Sequence, residues 1–400
     1  MQQAEVFHRP DLAKRLANYL MSEDGSSGVF ITGPRRTGKS TFIREDLIPL
    51  LHAVHATHVV YVDLWEDQTA NPGEVIVDSI RGELLKFESF ILKAAKEMGV
   101  SRTKVANLEV DLNAIGLGKG ETLNKAMTVL AAAAKKPVTL IIDEAQHSQV
   151  TEQGRQALYA IKAARDAMNA STGPGFRLLA TGSNSDKLAT LVEDKDQAFY
   201  QAPLIPLPHL GKEYLDWLRE RLSLEIKPSR EVLIKAFAMC NYRPEPLRAI
   251  CRELALRLDL TPDSIDTEFE KTVQCVLAKT KANFFQHING LNPLDAAVLK
   301  VMARDGKRFA PYTKQSFVDY KVFLLSIAGD TEVDINQSSV QQALERLRTE
   351  KFIWRAGRGA YFIEDPQQAV WLNEDTEQQA SSLAQVRQQI LSVDGGDSHA

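Results

Sequence analysis

Eight consecutive residues, Gly33-Pro34-Arg35-Arg36-Thr37-Gly38-Lys39-Ser40, place two glycines, a lysine and a hydroxyl at the spacing GxxxxGK[ST]. A polyphosphate must sit against main-chain N–H groups, so the loop needs residues without side chains where the backbone turns toward it, here Gly33 and Gly38. A helix opening at Lys39 points its positive end at the anion, Lys39 brings a mobile charge to the β and γ phosphates, and the Ser40 hydroxyl can ligate Mg²⁺. Pro34, Arg35, Arg36, Thr37 and the following Thr41 complete the candidate nucleotide-binding stretch. A second couplet, Asp143-Glu144, directly follows the apolar run Val138-Thr139-Leu140-Ile141-Ile142. At the carboxyl end of a strand the two acids divide the work: Asp143 for the Mg²⁺ shell, Glu144 as the general base on an attacking water. Alone, such a pair is equally a helix cap; joined to the loop, it reads as a hydrolytic nucleotide site. Another apolar run ends in Thr181-Gly182-Ser183-Asn184. Ser183 and Asn184, ahead of Thr181, are candidates to hydrogen-bond the γ-phosphate or the water, in competition with a plain capping role.

These residues need a scaffold that brings strand ends together. Residues 9–21 carry helical apolar spacing and feed the buried run Val29-Phe30-Ile31. The loop, a helix over 39–52 and a second buried strand over 58–64 complete one βαβ unit. A helical stretch over 74–99, a short hairpin near 108–112, a helix over 121–134, a strand over 137–142, a helix over 152–169 and a strand over 176–180 follow. Alternating strands and helices predict an α/β fold, a parallel sheet with helices on both faces. Beyond Pro208 only helices are expected through about 285, with turns at Pro228, Pro244 and Pro262. A helix over 293–304, a stretch over 309–330 with no clear assignment, a helix over 337–350 opened by Ser338-Ser339, and an alternating run over 352–363 outline a winged helix-turn-helix. The expected organisation is an ATPase domain over 1–207, a helical lid over 208–285, a winged helix over 286–373 and a polar, partly disordered tail over 374–400. In that tail Leu383, Val386 and Ile390 mark a short amphipathic helix.

Composition narrows the class. The 400 residues are 44% hydrophobic and 25% charged, ordinary for chains that bury real cores. No apolar run approaches the ~20 residues a bilayer needs, and the polar N-terminus lacks a secretory pattern, so no membrane partner and a cytoplasmic location are expected. Three cysteines (Cys240, Cys251, Cys275) in helix-like runs without CxxC read as small core residues. A net charge of −4 gives no global attraction to nucleic acid.

Taken together, GPRRTGKS, the preceding RPDLAKRL, IIDEAQ, LLATGSN and the closing GRGAYFIEDPQQAVWL resemble the archaeal-type P-loop ATPases of the STAND and AAA+ groups, relatives of replication-initiator ATPases. The resemblance covers roughly residues 5–372. It implies an AAA+-like ATP- and Mg²⁺-dependent switch with a helical lid and a winged helix. It also implies a lid arginine that senses the γ-phosphate: Arg243 first, with Arg248 in reserve. One departure stands out. Ring-forming members carry an arginine between the fourth and fifth strands that reaches a neighbour's nucleotide, and this chain has none between Arg177 and Arg219. That favours a slow switch over a hexameric motor.

Weaker signals resolve toward structure. Gly116-Leu117-Gly118-Lys119-Gly120 reads as a hairpin turn, and His52, His55 and His58 lack a carboxylate at ligand spacing. Residues 286–371 hold eleven basic against ten acidic side chains, although Arg346, Lys351, Arg355 and Arg358 fall on the expected recognition helix and wing. Duplex DNA and a protein partner, or self-association, therefore stand as competing uses of that domain. The leading expectation is a slowly ATP-hydrolysing switch, signalling or defence-related, whose nucleotide state controls the winged helix; the alternative is an ATP-controlled initiator or loader on duplex DNA.

Overall fold

The computed structural model describes residues 5–67, 69–87, 123–173, 175–183, 185–257, 259–328, 334–357, 360–379 and 383–384. The expected hairpin near 108–112, Gly116–Gly120, Asn184, Arg358, Val386 and Ile390 lie outside them. The chain divides into two compact units, Met1–Asp266 and Thr267–Ala400. Among the described residues no helix is long and apolar enough to cross a membrane.

The first unit is built on a five-stranded parallel sheet in the order β2-β3-β4-β1-β5, formed by β1 (Val29–Thr32), β2 (His58–Asp63), β3 (Val138–Asp143), β4 (Phe176–Gly182) and β5 (Leu204–Pro206). Every residue of β1 and β3 is buried, which is why these strands read as continuous apolar runs. Successive side chains point to opposite faces. Phe30, Leu140, Ile142, Leu178 and Ala180 join one core with α4 (Pro72–Leu85), α5 (Leu123–Ala134) and α6 (Glu152–Asn169). Ile31, Ile141 and Leu179 join the other with α1 (Pro10–Met21) and the helical run after the loop. That run is α2 (Lys39–Phe42), a π-helical turn (Ile43–Leu47) and α3 (Ile48–Ala53). The expected α/β architecture with helices on both faces is what the chain adopts.

Local chemistry fixes the element ends. Asn71 caps α4 through Gly73 N at 2.9 Å, and Thr151 caps α6 through Gly154 N at 3.0 Å. A Cβ on Gly154 would fall 2.1 Å from the Ser148 carbonyl oxygen, so only glycine lets α6 start this close to the turn before it. β5, which the sequence pattern did not announce, has three residues, ends in proline and pairs only with β1, the behaviour of an edge strand. After α7 (Ser185–Glu193) and β5 come α8 (Lys212–Glu220), α9 (Arg230–Met239) and α10 (Pro244–Ala255). Pro244 lies in the first turn of α10 rather than in the preceding turn, where Asn241 and Tyr242 take positive φ. Cys240 and Cys251 are buried, whereas Cys275 is exposed rather than a core residue.

The helix α11 (Ile265–Asn289) leads into the second unit. There α12 (Pro293–Asp305) is buried at every residue from Leu294 to Ala303, charged Asp295 and Lys300 included. It packs with α13 (Lys314–Ala328), α14 (Gln337–Thr349) and α15 (Pro366–Gln378). The stretch left unassigned from sequence is thus mostly the helix α13. Asn336 caps α14, accepting from Ser339 N at 2.9 Å, while Ser339 Oγ accepts from Asn336 N at 2.9 Å, so Ser339 of the expected pair opens the helix as the partner in a capping box. An antiparallel hairpin, β6 (Ile353–Gly357) with β7 (Ala360–Ile363), follows α14.

Candidate functional site

The sheet order puts β4 between β1 and β3, so three sequence-distant stretches end side by side: the loop after Thr32, the acid couplet after Ile142 and the polar turn after Gly182. The loop and the couplet's Glu144 border a cavity of about 1400 Å³ within the first unit. Arg35, Arg36, Thr37, Gly38, Lys39, Ser40, Thr41 and Glu144 line it, with Asp63 at the end of β2 and Trp65 just beyond it.

The loop is held by its own atoms. Gly38 takes φ +88° at the start of α2, a conformation that favours glycine, and Arg36 takes φ +63°. Thr37 Oγ1 donates to Pro34 O at 2.8 Å. Lys39 is 5% exposed, and its ammonium donates to the carbonyls of Gly33 at 2.6 Å and Pro34 at 2.8 Å. Burial pushes its pKa down, against the pull of Glu144 and Asp143; the nearby Arg35 charge adds to the lowering. A buried ammonium with only neutral acceptors is under-compensated, and an anion at the loop relieves it.

Asp143 is 1% exposed at the end of β3; Tyr61 OH donates to its Oδ2 at 2.8 Å and Thr181 Oγ1 donates to its Oδ1. Its register partner on β2 is Asp63. The Asp63 carboxyl is pushed up, first by burial and further by Asp143, with Trp65 N–H opposing. The two carboxylates are oxygen donors of the hard type Mg²⁺ takes, as is the Ser40 hydroxyl on the cavity wall, and the like-charge pair is what a cation would relieve.

Glu144 stands just outside the strand at φ +58°, an unfavourable region for a residue with a Cβ. Its Oε2 accepts from Ser183 Oγ at 2.6 Å, from Ser183 N at 3.2 Å and from Gln146 Nε2. Ser183 Oγ in turn accepts from Arg35 Nε at 3.3 Å, and the Arg35 guanidinium lies 4.3 Å from the centre of the Trp65 ring. Of the residues singled out from sequence, the structure thus gathers Lys39, Ser40, Asp143, Glu144 and Ser183. Thr181 is committed to Asp143. Asn184 lies outside the described residues. The two lid candidates part company: Arg248 lines the cavity, its guanidinium 5.7 Å from the Trp217 ring centre, whereas Arg243 is not among the lining residues.

Tyr61, Asp63, Trp65 and Gln146 were not foreseen. Asp63 carried a signal, an acid ending a buried strand just as Asp143 does; Tyr61 reaches Asp143 through the β2–β3 pairing and Trp65 lies just past the end of β2, whereas Gln146 is a local neighbour of Glu144 in a turn that no pattern singled out.

Neither a protein-family model nor a curated protein matches this chain. Solved structures match its fold. A Walker-type ATPase of Pyrococcus abyssi aligns with a TM-score of 0.52 at 17% identity, covering 92% of this chain and 96% of its own. The ADP form of the Aeropyrum pernix ORC2 protein aligns with a TM-score of 0.52 at 14% identity, covering 97% and 95%. The chain shares with these proteins an α/β fold in which the GxxxxGK[ST] loop follows the first strand of a parallel sheet.

Proposed function

We propose that this chain is a Mg²⁺-dependent ATPase that works as a slow nucleotide-controlled switch. The observation that carries this reading is the Glu144 carboxylate, presented by β3 beside the Lys39 loop and held by Ser183 of the neighbouring strand. The backbone amides from Gly33 to Thr41 and the Lys39 ammonium bind the polyphosphate. Asp143 and Ser40, with Asp63 as Asp143's register partner, would hold Mg²⁺, which would supply neutralisation of phosphate charge. Glu144 takes a proton from water as the water oxygen forms a bond to the γ-phosphorus and the bond to the β-phosphate oxygen breaks, releasing ADP and phosphate. Ser183, with Asn184 beside it in sequence, reports that change along β4, and a lid arginine closes the site. The cavity lining favours Arg248 for this part over Arg243.

In this reading α12–α14 and the β6–β7 hairpin form a winged helix-turn-helix that responds to nucleotide state. The helices preceding an antiparallel hairpin support it. Use of that domain on duplex DNA is the second reading; a partner protein is the other use. A purified full chain assayed for ATP turnover tests the proposal. Turnover requires Mg²⁺; Glu144→Gln keeps ATP bound and loses about 10²-fold or more in rate, as when a positioned base is removed. A Glu144→Gln variant with undiminished turnover would remove the base from the scheme.

A further inference from the structure

Asp143 is 1% exposed, and both of its carboxylate oxygens accept from hydroxyls: Oδ2 from Tyr61 OH on β2 at 2.8 Å, Oδ1 from Thr181 Oγ1 on β4. The donors thus come from the strands on either side of β3. Of the roughly four acceptor positions on a carboxylate, two are taken and two remain. Strand geometry explains how Tyr61 reaches the acid. Asp63 stands opposite Asp143 and Tyr61 opposite Ile141, so Tyr61 shares the Asp143 face two residues back and its phenol spans the offset. A second feature bears on the same ring. The helix that opens at Lys39 passes after one turn into the π-helical turn Ile43–Leu47, a widened form that is rare and frequently sits at functional sites. Arg44 of that turn places its guanidinium 5.7 Å from the Tyr61 ring centre, and Tyr61 packs on the core that holds Phe42, Ile43 and Leu47. The residue is therefore tied to the loop helix through its ring and to Asp143 through its hydroxyl. Burial pushes the phenol's pKa far up and the Asp143 charge adds to the rise, so the hydroxyl stays a donor.

We propose that Tyr61 is a positioning residue that fixes the Asp143 carboxylate relative to the helix carrying Ser40, and so sets how well this site takes Mg²⁺. Tyr61 is not among the residues that line the cavity, so it acts through Asp143 rather than on nucleotide. Mg²⁺ demands near-ideal octahedral geometry where Ca²⁺ accepts a flexible one, so a carboxylate held by hydroxyls from both neighbouring strands favours the smaller ion. Partners that orient a metal-binding side chain are worth about 10–100-fold in metal affinity. Thr181 holds the other oxygen from β4; Tyr61 is the partner that links the acid to the loop helix.

The inference rests on the Mg²⁺-dependent reading above, and its test separates the two. Full-length wild type, Tyr61→Phe, Thr181→Val and Thr181→Ser are titrated calorimetrically with the non-cleavable β,γ-imido analogue of ATP in EDTA, in Mg²⁺ and in Ca²⁺. Steady-state ATP turnover is followed as Mg²⁺ is varied. Tyr61→Phe, which keeps the ring under Arg44, is expected to match wild type in EDTA, to lose about tenfold or more of the affinity gained from Mg²⁺, and to lose less of the gain from Ca²⁺. The Mg²⁺ concentration for half-maximal turnover rises about 10–100-fold while kcat at saturating Mg²⁺ stays within about threefold, a split that a merely structural role would not produce. Thr181→Val, which removes the other donor, also lowers the Mg²⁺ gain, and Thr181→Ser, which keeps it, does not. A wild type that binds no analogue, or binds it equally with and without Mg²⁺, overturns the reading above and this inference with it. Loss of the Mg²⁺ gain in Tyr61→Phe beside a wild type without turnover upholds this inference and overturns the ATPase reading. A Mg²⁺ gain kept in full by Tyr61→Phe overturns this inference alone. A Tyr61→Phe chain that fails to fold, or that loses affinity equally in EDTA and in Mg²⁺, overturns it as well, because the hydroxyl then serves the fold.

Discussion

Lys39 carries a cost in the chain without nucleotide. Its ammonium is 5% exposed and meets two neutral carbonyls, and burial depresses its pKa. A group whose folded pKa is depressed below the ordinary lysine value contributes stability only at high pH and loses it as pH falls through the folded value. At neutral pH the buried charge is thus a liability that a phosphate discharges. Replacing a buried charge by an apolar side chain of similar volume is often neutral or stabilising. Lys39→Met is therefore expected to melt no lower than wild type without ligand, and to lose the rise that ATP gives wild type. That rise corresponds to about 2.7 kcal/mol at a hundredfold excess over Kd; differential scanning fluorimetry at pH 7 with and without ATP reads both, and a variant that melts lower and still responds to ATP contradicts the account. Gly182 is the second sensitive position. A Cβ there falls 2.6 Å from Gln146 Oε1 and 3.1 Å from Leu188, in a buried setting. Gln146 must then shift, and its amide is one of the three donors holding Glu144. Gly182→Ala is expected to lower turnover about tenfold with ATP binding intact, measured by phosphate release beside nucleotide titration. The residues proposed to act on phosphate were legible because the loop and the couplet are each a pattern of a few consecutive positions. Tyr61 was not, since it meets Asp143 only once β2 pairs with β3.

The helices beyond β5 show how elements, rather than residues, shape the cavity. Proline in its first turn and glutamate beside it start α10, and Glu245 meets Arg36 of the loop, an exposed pair worth about 0–1 kcal/mol, too little to close anything by itself. The hold comes instead from aromatic packing: Tyr214 and Trp217 of α8 stack with centroids 5.8 Å apart, and Phe7 meets both edge-on at 5.5 and 5.7 Å. On the inner faces of these helices the thiols of Cys240 and Cys251 are buried, and burial pushes their pKa values up to about 11 and about 12. At pH 8 neither is a thiolate to any useful extent, whereas Cys275 on α11 is exposed. One of the three cysteines is expected to react promptly with a chromogenic disulfide reagent in the folded chain, and all three after denaturation. Fast modification of two or three in the native state would mean that α9 and α10 open freely. Periodicity revealed most of these helices. It missed α13, whose apolar residues spread around the helix because it packs on α12, and it missed β5, too short to show alternation.

At the scale of the molecule the charge balance argues about partners. With 48 basic and 52 acidic residues, duplex DNA can be held only by a local patch. In the second unit several basic side chains are paired with acids of their own chain: Lys300 on Asp375 at 2.8 Å, Arg304 on Asp319 at 2.7 Å and, at the surface, Arg348 on Glu345 at 2.7 Å. Arg346, which the sequence placed on the expected recognition helix, grips the 2%-exposed Asp295 through Nε at 2.8 Å and Nη2 at 2.6 Å. Counting charges along the chain could not reveal this, because the acid lies on another helix. Removing the arginine leaves a buried carboxylate alone, a loss of roughly 1–3 kcal/mol once the partial exposure of Arg346 is allowed for. Arg346→Ala is thus expected to lower thermal stability while leaving whatever affinity the full chain has for a labelled duplex within about twofold. Each phosphate neutralised steepens the log–log dependence of affinity on salt by about 0.9. With these four cations engaged internally, the slope from 25 to 200 mM KCl should stay shallower than about −4, read by fluorescence anisotropy with ATP present. A steeper slope that shrinks by about one in Arg346→Ala would return that residue to the DNA and favour the initiator reading over the switch.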